Sequence, residues 1–392
     1  MPWPLIIAAA LGMFTAAASG TTRAPFLIDI ARDLSSTVPL VANMVALTSV
    51  AWGLASMVAG TASDRWGRRP FLILGPFALA GATAGIATSG SLFALAAWSA
   101  GAGACCGAYT GVIFAEVSRR VGAGQQGRAL GWVMSGQSMT LLVGVPLAAW
   151  VGAGIGWRGV NLCVSGLALI TALALFATTG GPAGHAARRA GSVMPSMRSA
   201  LSGPVVRLLS MGVAERICYG LVAVYFATFL QSTFALTVGQ VAVPLAVFAI
   251  GNILGTILGG QLADRLTNRL GIFAASMLAS AVAALALFGW QADLRTAVGL
   301  GFVYVFFNAI ARPSLMASLG DVPEHVRGTV MGLNITCSSL GWLGAASLGG
   351  WMIASVGFGG FGPLTAVVAA ISAVLALARP AARPAVVRRR PD

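Results

Sequence analysis

Lysine is missing from this chain, and charge of either sign is scarce. All 24 basic residues are arginine, set against 10 acidic ones in 392 residues. Charged residues make up 9% of the sequence, against about 25% in soluble domains, a composition that excludes water as the solvent for most of the surface. The two histidines, His185 and His325, stand apart from any partner pattern, and the five cysteines (Cys105, Cys106, Cys163, Cys218 and Cys337) lack metal-ligand spacing. There is no lysine-bearing phosphate loop, no zinc-ligand cluster and no nucleophile elbow. These absences argue against an enzyme, and neither a cofactor nor a metal is expected. Arginine stays protonated, so no basic side chain inside a membrane could exchange a proton here.

What the chain does have is apolar length. Hydrophobic residues make up 57% of it, arranged as twelve stretches of roughly 20 residues, from about 5–28 to about 360–378. Backbone polar groups in hydrocarbon must be satisfied within their own segment, so each stretch is expected to be a helix. The first reads as a retained helix and not as a cleaved leader. A net charge of +14 could suggest a nucleic-acid partner, but its distribution argues otherwise. Eighteen of the 24 arginines fall in the loops and tail on one side, whereas only Arg32, Arg158 and Arg295 fall on the other. This is the positive-inside bias, and it predicts a multi-pass plasma (inner) membrane protein with both termini cytoplasmic. The basic tail, residues 379–392, is expected to rest on anionic lipid.

One polar connector, residues 181–206, divides the chain into halves at 1–180 and 207–378. A dense charge knot, GTASDRWGRRP at residues 60–70, sits between the second and third stretches. A fainter copy, GQLADRLTNR, follows two hundred residues later, placing Asp264-Arg265 opposite Asp64-Arg65. Gly60, Asp64, Arg65, Gly67, Arg68 and Arg69 resemble the loop motif of the major facilitator superfamily, and the resemblance extends over the whole chain. Gly260, Asp264, Arg265 and Arg269 match in the second half, with Thr267 and Asn268 in place of a Gly-Arg pair. The resemblance implies an all-α integral membrane protein, with twelve transmembrane helices in two pseudo-symmetric six-helix bundles. It also pairs each knot with an acid, here Glu116 and Asp321. Physically, Gly67 permits a tight turn, so an Asp64–Arg68–Glu116 cluster is expected to latch helices two and four, with helix eleven against it.

Ionisable groups within spans are costly and mark function by default. Four stand out: Arg23 in helix one, Glu215 and Arg216 in helix seven, and Arg312 in helix ten. The resemblance assigns helices one, four, seven and ten to a central cavity. Ser19, Tyr219 and Asn308 lie four residues from Arg23, Glu215 and Arg312, on the same helical faces. Glu215 and Arg216 leave the helix about 100° apart and need not pair with each other. Glu215, the only deep carboxylate, is the candidate proton carrier. Gly136, Gly144 and Pro146 in helix five resemble the Gly- and Pro-rich motif of proton-linked drug exporters, with Val145 splitting the Gly-Pro pair.

The expected function is secondary active transport by rocker-switch alternating access, with proton-coupled export of a small amphipathic compound as the leading reading. The alternative is uptake or exchange of a small organic anion, a carboxylate or phosphate ester, clamped by Arg23 and Arg216. The expected partners are the small-molecule substrate, protons and the lipid bilayer, with no nucleic acid, and the protein is expected to act as a monomer.

Overall fold

The computed structural model describes residues 1–121, 125–180, 202–290, 293–322 and 324–378; for residues 61, 64, 127, 324–329, 331 and 332 it describes the backbone alone. The expected 181–206 connector and 379–392 tail therefore fall almost wholly outside the described residues. In the first half α1 is Trp3–Thr21, prolonged by a 3-10 turn, Ala24–Phe26, and by Leu27–Asp33. It is followed by α2 (Val38–Trp66), α3 (Arg68–Ala87) and α4 (Leu92–Arg120). Next comes Gln126–Met139, which passes through a π-helical turn, Thr140–Gly144, into Val145–Thr178. That last stretch breaks at Gly156, whose φ of 70° is left-handed, so α5 ends there and α6 begins. The second half holds α7 (Gly203–Phe234), α8 (Ala242–Arg265), α9 (Arg269–Gly289), α10 (Leu294–Gly320), α11 (Glu324–Ser355) and α12 (Phe361–Leu377).

Twelve long helices thus cross the bundle among the described residues, and several outrun the apolar stretches that announce them. Apolarity marks the hydrocarbon-crossing part of a helix, whereas its polar last turn reaches into the headgroup layer. The chain is a multi-pass membrane protein. Within the first half α2 packs closely on α4, and within the second α8 packs on α10. Small residues allow both seams: a Cβ on Gly103 or Gly107 would run into the α2 backbone, and one on Gly255 would meet the carbonyl of Phe306.

The halves meet along α2–α11 and α5–α8. From α11, Ser347 donates to Asn43 of α2 at 3.2 Å, Ser339 Oγ lies 2.6 Å from the Cβ position of Gly53, and Thr336 reaches Met57 Sδ at 3.6 Å. Gly60, one turn further along the same α2 face, has nothing within 4 Å of its Cβ position among the described residues. At the end away from the charge knot, Gln231 of α7 donates to the Pro25 carbonyl at 2.8 Å, and Ala153 lies 3.2 Å from the Cβ position of Gly239. The two bundles are therefore in contact at the end opposite the knot and along α2 and α11 as far as Met57.

Candidate functional site

Glu215 anchors the site. It lies mid-way along α7, is 1% exposed, and receives two hydrogen bonds from its neighbour Arg216: Nε donates to Oε2 at 2.7 Å, and a terminal nitrogen donates to Oε1. Adjacent helical residues do start about 100° apart, but the arginine stem is long enough to fold back and make a two-pronged pair. The expectation that the two need not pair is thus corrected by side-chain reach. Arg312 of α10 completes the group, with its guanidinium 3.5 Å from Glu215 Oε2. Pro313 follows it, withholding an N–H from the preceding turn of α10.

Exposure separates the two arginines. The Arg216 side chain is 12% exposed and the Arg312 side chain 36%. Arg216 lies over the Tyr219 ring at 4.7 Å, and Tyr219 meets Trp342 of α11 edge-on at 5.7 Å and Phe248 of α8 at 6.5 Å. These three rings, with Thr21, Ala24 and Val45 from the first half, help to line a cavity of about 50 Å³ between the bundles.

Arg23 belongs to a different environment. It is 1% exposed, and its guanidinium donates to Ser99 Oγ at 2.7 Å and Thr48 Oγ1 at 2.8 Å, while Nε has no partner. It therefore ties the end of α1 to α2 and α4 and is not brought to Glu215. Ser19 is fully buried, bonded to the Ala16 carbonyl at 2.8 Å and beside Cys106 Sγ at 3.4 Å. Asn308 is also fully buried, with its amide nitrogen 3.9 Å from Met277 Sδ of α9 and its oxygen unpartnered. Of the cavity residues expected from sequence, the structure groups Glu215, Arg216, Tyr219 and Arg312, and places Ser19, Arg23 and Asn308 in the packing of their own halves.

At the knot, Gly67 alone separates α2 from α3, with φ 86° and ψ 153°, a conformation open to glycine and strained for other residues. The turn brings Arg68 to the end of α4, where it donates to the Ala115 carbonyl at 3.0 Å and lies 3.9 Å from Glu116 Oε2. The side chain of Asp64, the third expected member, lies outside those described, as do those at the start of α11. Glu116 is 3% exposed and is bound more closely by Arg119, at 2.8 Å, and Arg120, at 2.6 Å. Arg120 goes on to donate to the carbonyls of Thr178 and Thr179, capping α6, and Arg69 lies over Phe176 at 5.3 Å. The knot therefore holds α3, α4 and α6 together. Arg65 is exposed and Gly60 uncrowded. In the second half Arg269 pairs with Asp321 at 2.6 Å and donates to the Ala263 carbonyl, while Asp264 and Arg265 are exposed and Gly260 is uncrowded.

The helix-five residues face α1. A Cβ on Gly136 would strike the Ala10 carbonyl, one on Gly144 would stand 3.1 Å from Phe14, and Thr140 donates to the Phe14 carbonyl at 3.0 Å. Pro146 follows the π-helical turn Thr140–Gly144, a local widening of the helix ahead of a residue with no N–H to donate. Among the described residues no group of His, Cys, Asp or Glu could hold a metal ion.

Sequence reasoning missed Arg119 and Arg120 as partners of Glu116, although their spacing of three and four residues on one helix was a usable signal. Thr48, Ser99 and Trp342 carried no such signal, because only the folding of separate helices brings them to Arg23 and Tyr219.

A family model for the Major Facilitator Superfamily matches residues 9–234 and again 208–392. The chain belongs to the major facilitator superfamily. It is 30% identical over 209 residues to the transcription regulatory protein OpdE of Pseudomonas aeruginosa, a match covering 52% of this chain and 46% of OpdE. It is 25% identical over 340 residues to YceJ of Bacillus subtilis, an uncharacterized MFS-type transporter, with 85% of each chain covered. The fold is also that of a D-xylose-proton symporter, with a TM-score of 0.77 at 15% identity over 96% of this chain and 97% of the symporter.

Proposed function

We propose that the protein is a secondary active transporter working by alternating access, and that its substrate is a small organic anion with an apolar body. The observation that carries this reading is the stoichiometry of the triad: two guanidiniums share one carboxylate, and the second of them, Arg312, is a third exposed. Glu215 neutralises Arg216 through a two-pronged pair, which leaves Arg312 with only a 3.5 Å contact to the same carboxylate. A carboxylate or phosphate ester docking on Arg312 gains a charge-assisted bond, and Tyr219, Trp342 and Phe248 offer aromatic surface to the rest of the molecule.

The positive-inside bias supports a cytoplasmic knot end in a plasma (inner) membrane protein. Glu215, Arg216 and Arg312 all belong to the second half. Rigid-body rocking leaves them together, so a ligand, and not the rocking itself, must redistribute their contacts. Proton-coupled export of an amphipathic compound is the second reading, favoured by Glu215 being, among the described residues, the one acid deep in the spans. Proteoliposome flux, with and without a pH gradient, tests both. Saturable uptake of aromatic carboxylates, lost in Arg312→Ala, is expected. Transport confined to neutral or cationic compounds and driven by the proton gradient would replace the anion reading with the second one.

A further inference from the structure

Among the described residues Arg23 has no carboxylate partner. Its hydrogen-bond partners are two hydroxyls, its Nε is unpartnered, and its side chain is 1% exposed in the core of the first half. Taking a cation out of water without a counter-charge is among the costlier things a fold can do. In the second half, Glu215, Arg216 and Arg312 together leave one further positive charge. Among the described residues these four are the ionisable Arg, Asp and Glu side chains deep within the spans. Three guanidiniums and one carboxylate amount to two positive charges, one in each half. The cavity between the bundles is lined by Thr21 and Ala24, which neighbour Arg23 in sequence, and by Tyr219, whose ring lies under Arg216.

We infer that the substrate is a dianion, whose two negative charges offset the excess positive charge of both halves when they close on it. The inference rests on the anion reading above and adds the charge of the substrate to it. The Arg312 side chain is 36% exposed, so water screens it before closure, and a monoanion and a dianion of similar shape bind with similar strength at the entrance. Closure removes that water. A monoanion then leaves one uncompensated charge in low dielectric, whereas a dianion leaves none, so discrimination arises at the closing step and appears in exchange rate more than in initial binding.

The test is counterflow exchange in proteoliposomes, comparing phenylsuccinate with 4-phenylbutyrate and glutarate with valerate. Dianion exchange is expected to be at least about tenfold faster than that of the matched monoanion, while affinities before closure differ by less than about threefold. Arg23→Gln should remove the preference; Arg23→Lys, which keeps the charge, should retain it at a reduced rate. Equal exchange of mono- and dianions by the wild-type protein would overturn the inference and leave the anion reading standing, whether or not the variants fold. Failure of every anion alongside transport of neutral or cationic compounds would overturn both.

Discussion

The triad makes a prediction in which two damaging substitutions together do less harm than their sum. Glu215→Gln removes the carboxylate that Arg216 grips with two hydrogen bonds and leaves Arg216 and Arg312 as neighbouring like charges. Removing one partner of a buried pair costs about 3–5 kcal/mol; with Arg216 12% exposed, the lower end, about 3 kcal/mol, is the estimate. The Arg312–Glu215 contact at 3.5 Å has a Coulomb ceiling of about 5 kcal/mol at an effective dielectric of 20. Arg312 is 36% exposed, and solvent screening brings that contact down to about 1 kcal/mol. Arg312→Gln alone should therefore cost about 1 kcal/mol. In an Arg312→Gln background, Glu215→Gln should then cost about 1–2 kcal/mol less than in the wild type, because both the attraction and the arginine repulsion are already gone. Equilibrium unfolding of the four proteins in mixed micelles measures the cycle. Costs that simply add would refute the shared-carboxylate geometry, and so would a Glu215→Gln protein as stable as the wild type.

Other sites give shorter tests. Glu116→Gln should strip Arg119 and Arg120 of their common acceptor and destabilise the protein by about 2 kcal/mol, the worth of charge-assisted bonds to partly exposed arginines; an unchanged unfolding midpoint would count against the knot. Gly136→Val should force α5 away from the Ala10 carbonyl of α1 and lower stability by about 3 kcal/mol or more, read by the same assay, with normal stability excluding the close approach. A protein freed of its five native cysteines and carrying Ala153→Cys with Gly239→Cys should form a disulfide under mild oxidation, since the Cβ positions stand 3.2 Å apart and a slight widening brings them to the roughly 3.5–4.5 Å that the bond spans. That bond should stop transport until it is reduced; transport that continues in the crosslinked protein would show that this end need not open. If the proton-coupled reading holds, Glu215→Gln should lose accumulation driven by a pH gradient in vesicles while keeping exchange, and retained pH-driven accumulation would exclude Glu215 as a proton carrier.

The sequence by itself determined that the chain is an all-helical, multi-pass membrane protein. Apolar length is a local quantity, imposed on each segment by the need to satisfy its own backbone in hydrocarbon. The approach of Arg68 to Glu116 was readable, because Gly67 turns the chain in one residue, whereas the closer partners Arg119 and Arg120 were missed although they reach Glu116 within one helix. That charge lies inside the spans was also plain, since ionisable residues there are rare and conspicuous. Tertiary structure alone decided which charges meet. Arg23 and Arg312 look alike in sequence, yet one is buried against Thr48 and Ser99 while the other reaches Glu215 from α10, because helix packing fixes side-chain neighbours that no sequence interval encodes. Packing likewise decided that the bundles meet at Ala153 and Gly239 and along α2 and α11 to Met57, since contact between two separately folded halves is a property of their docking and not of either chain segment.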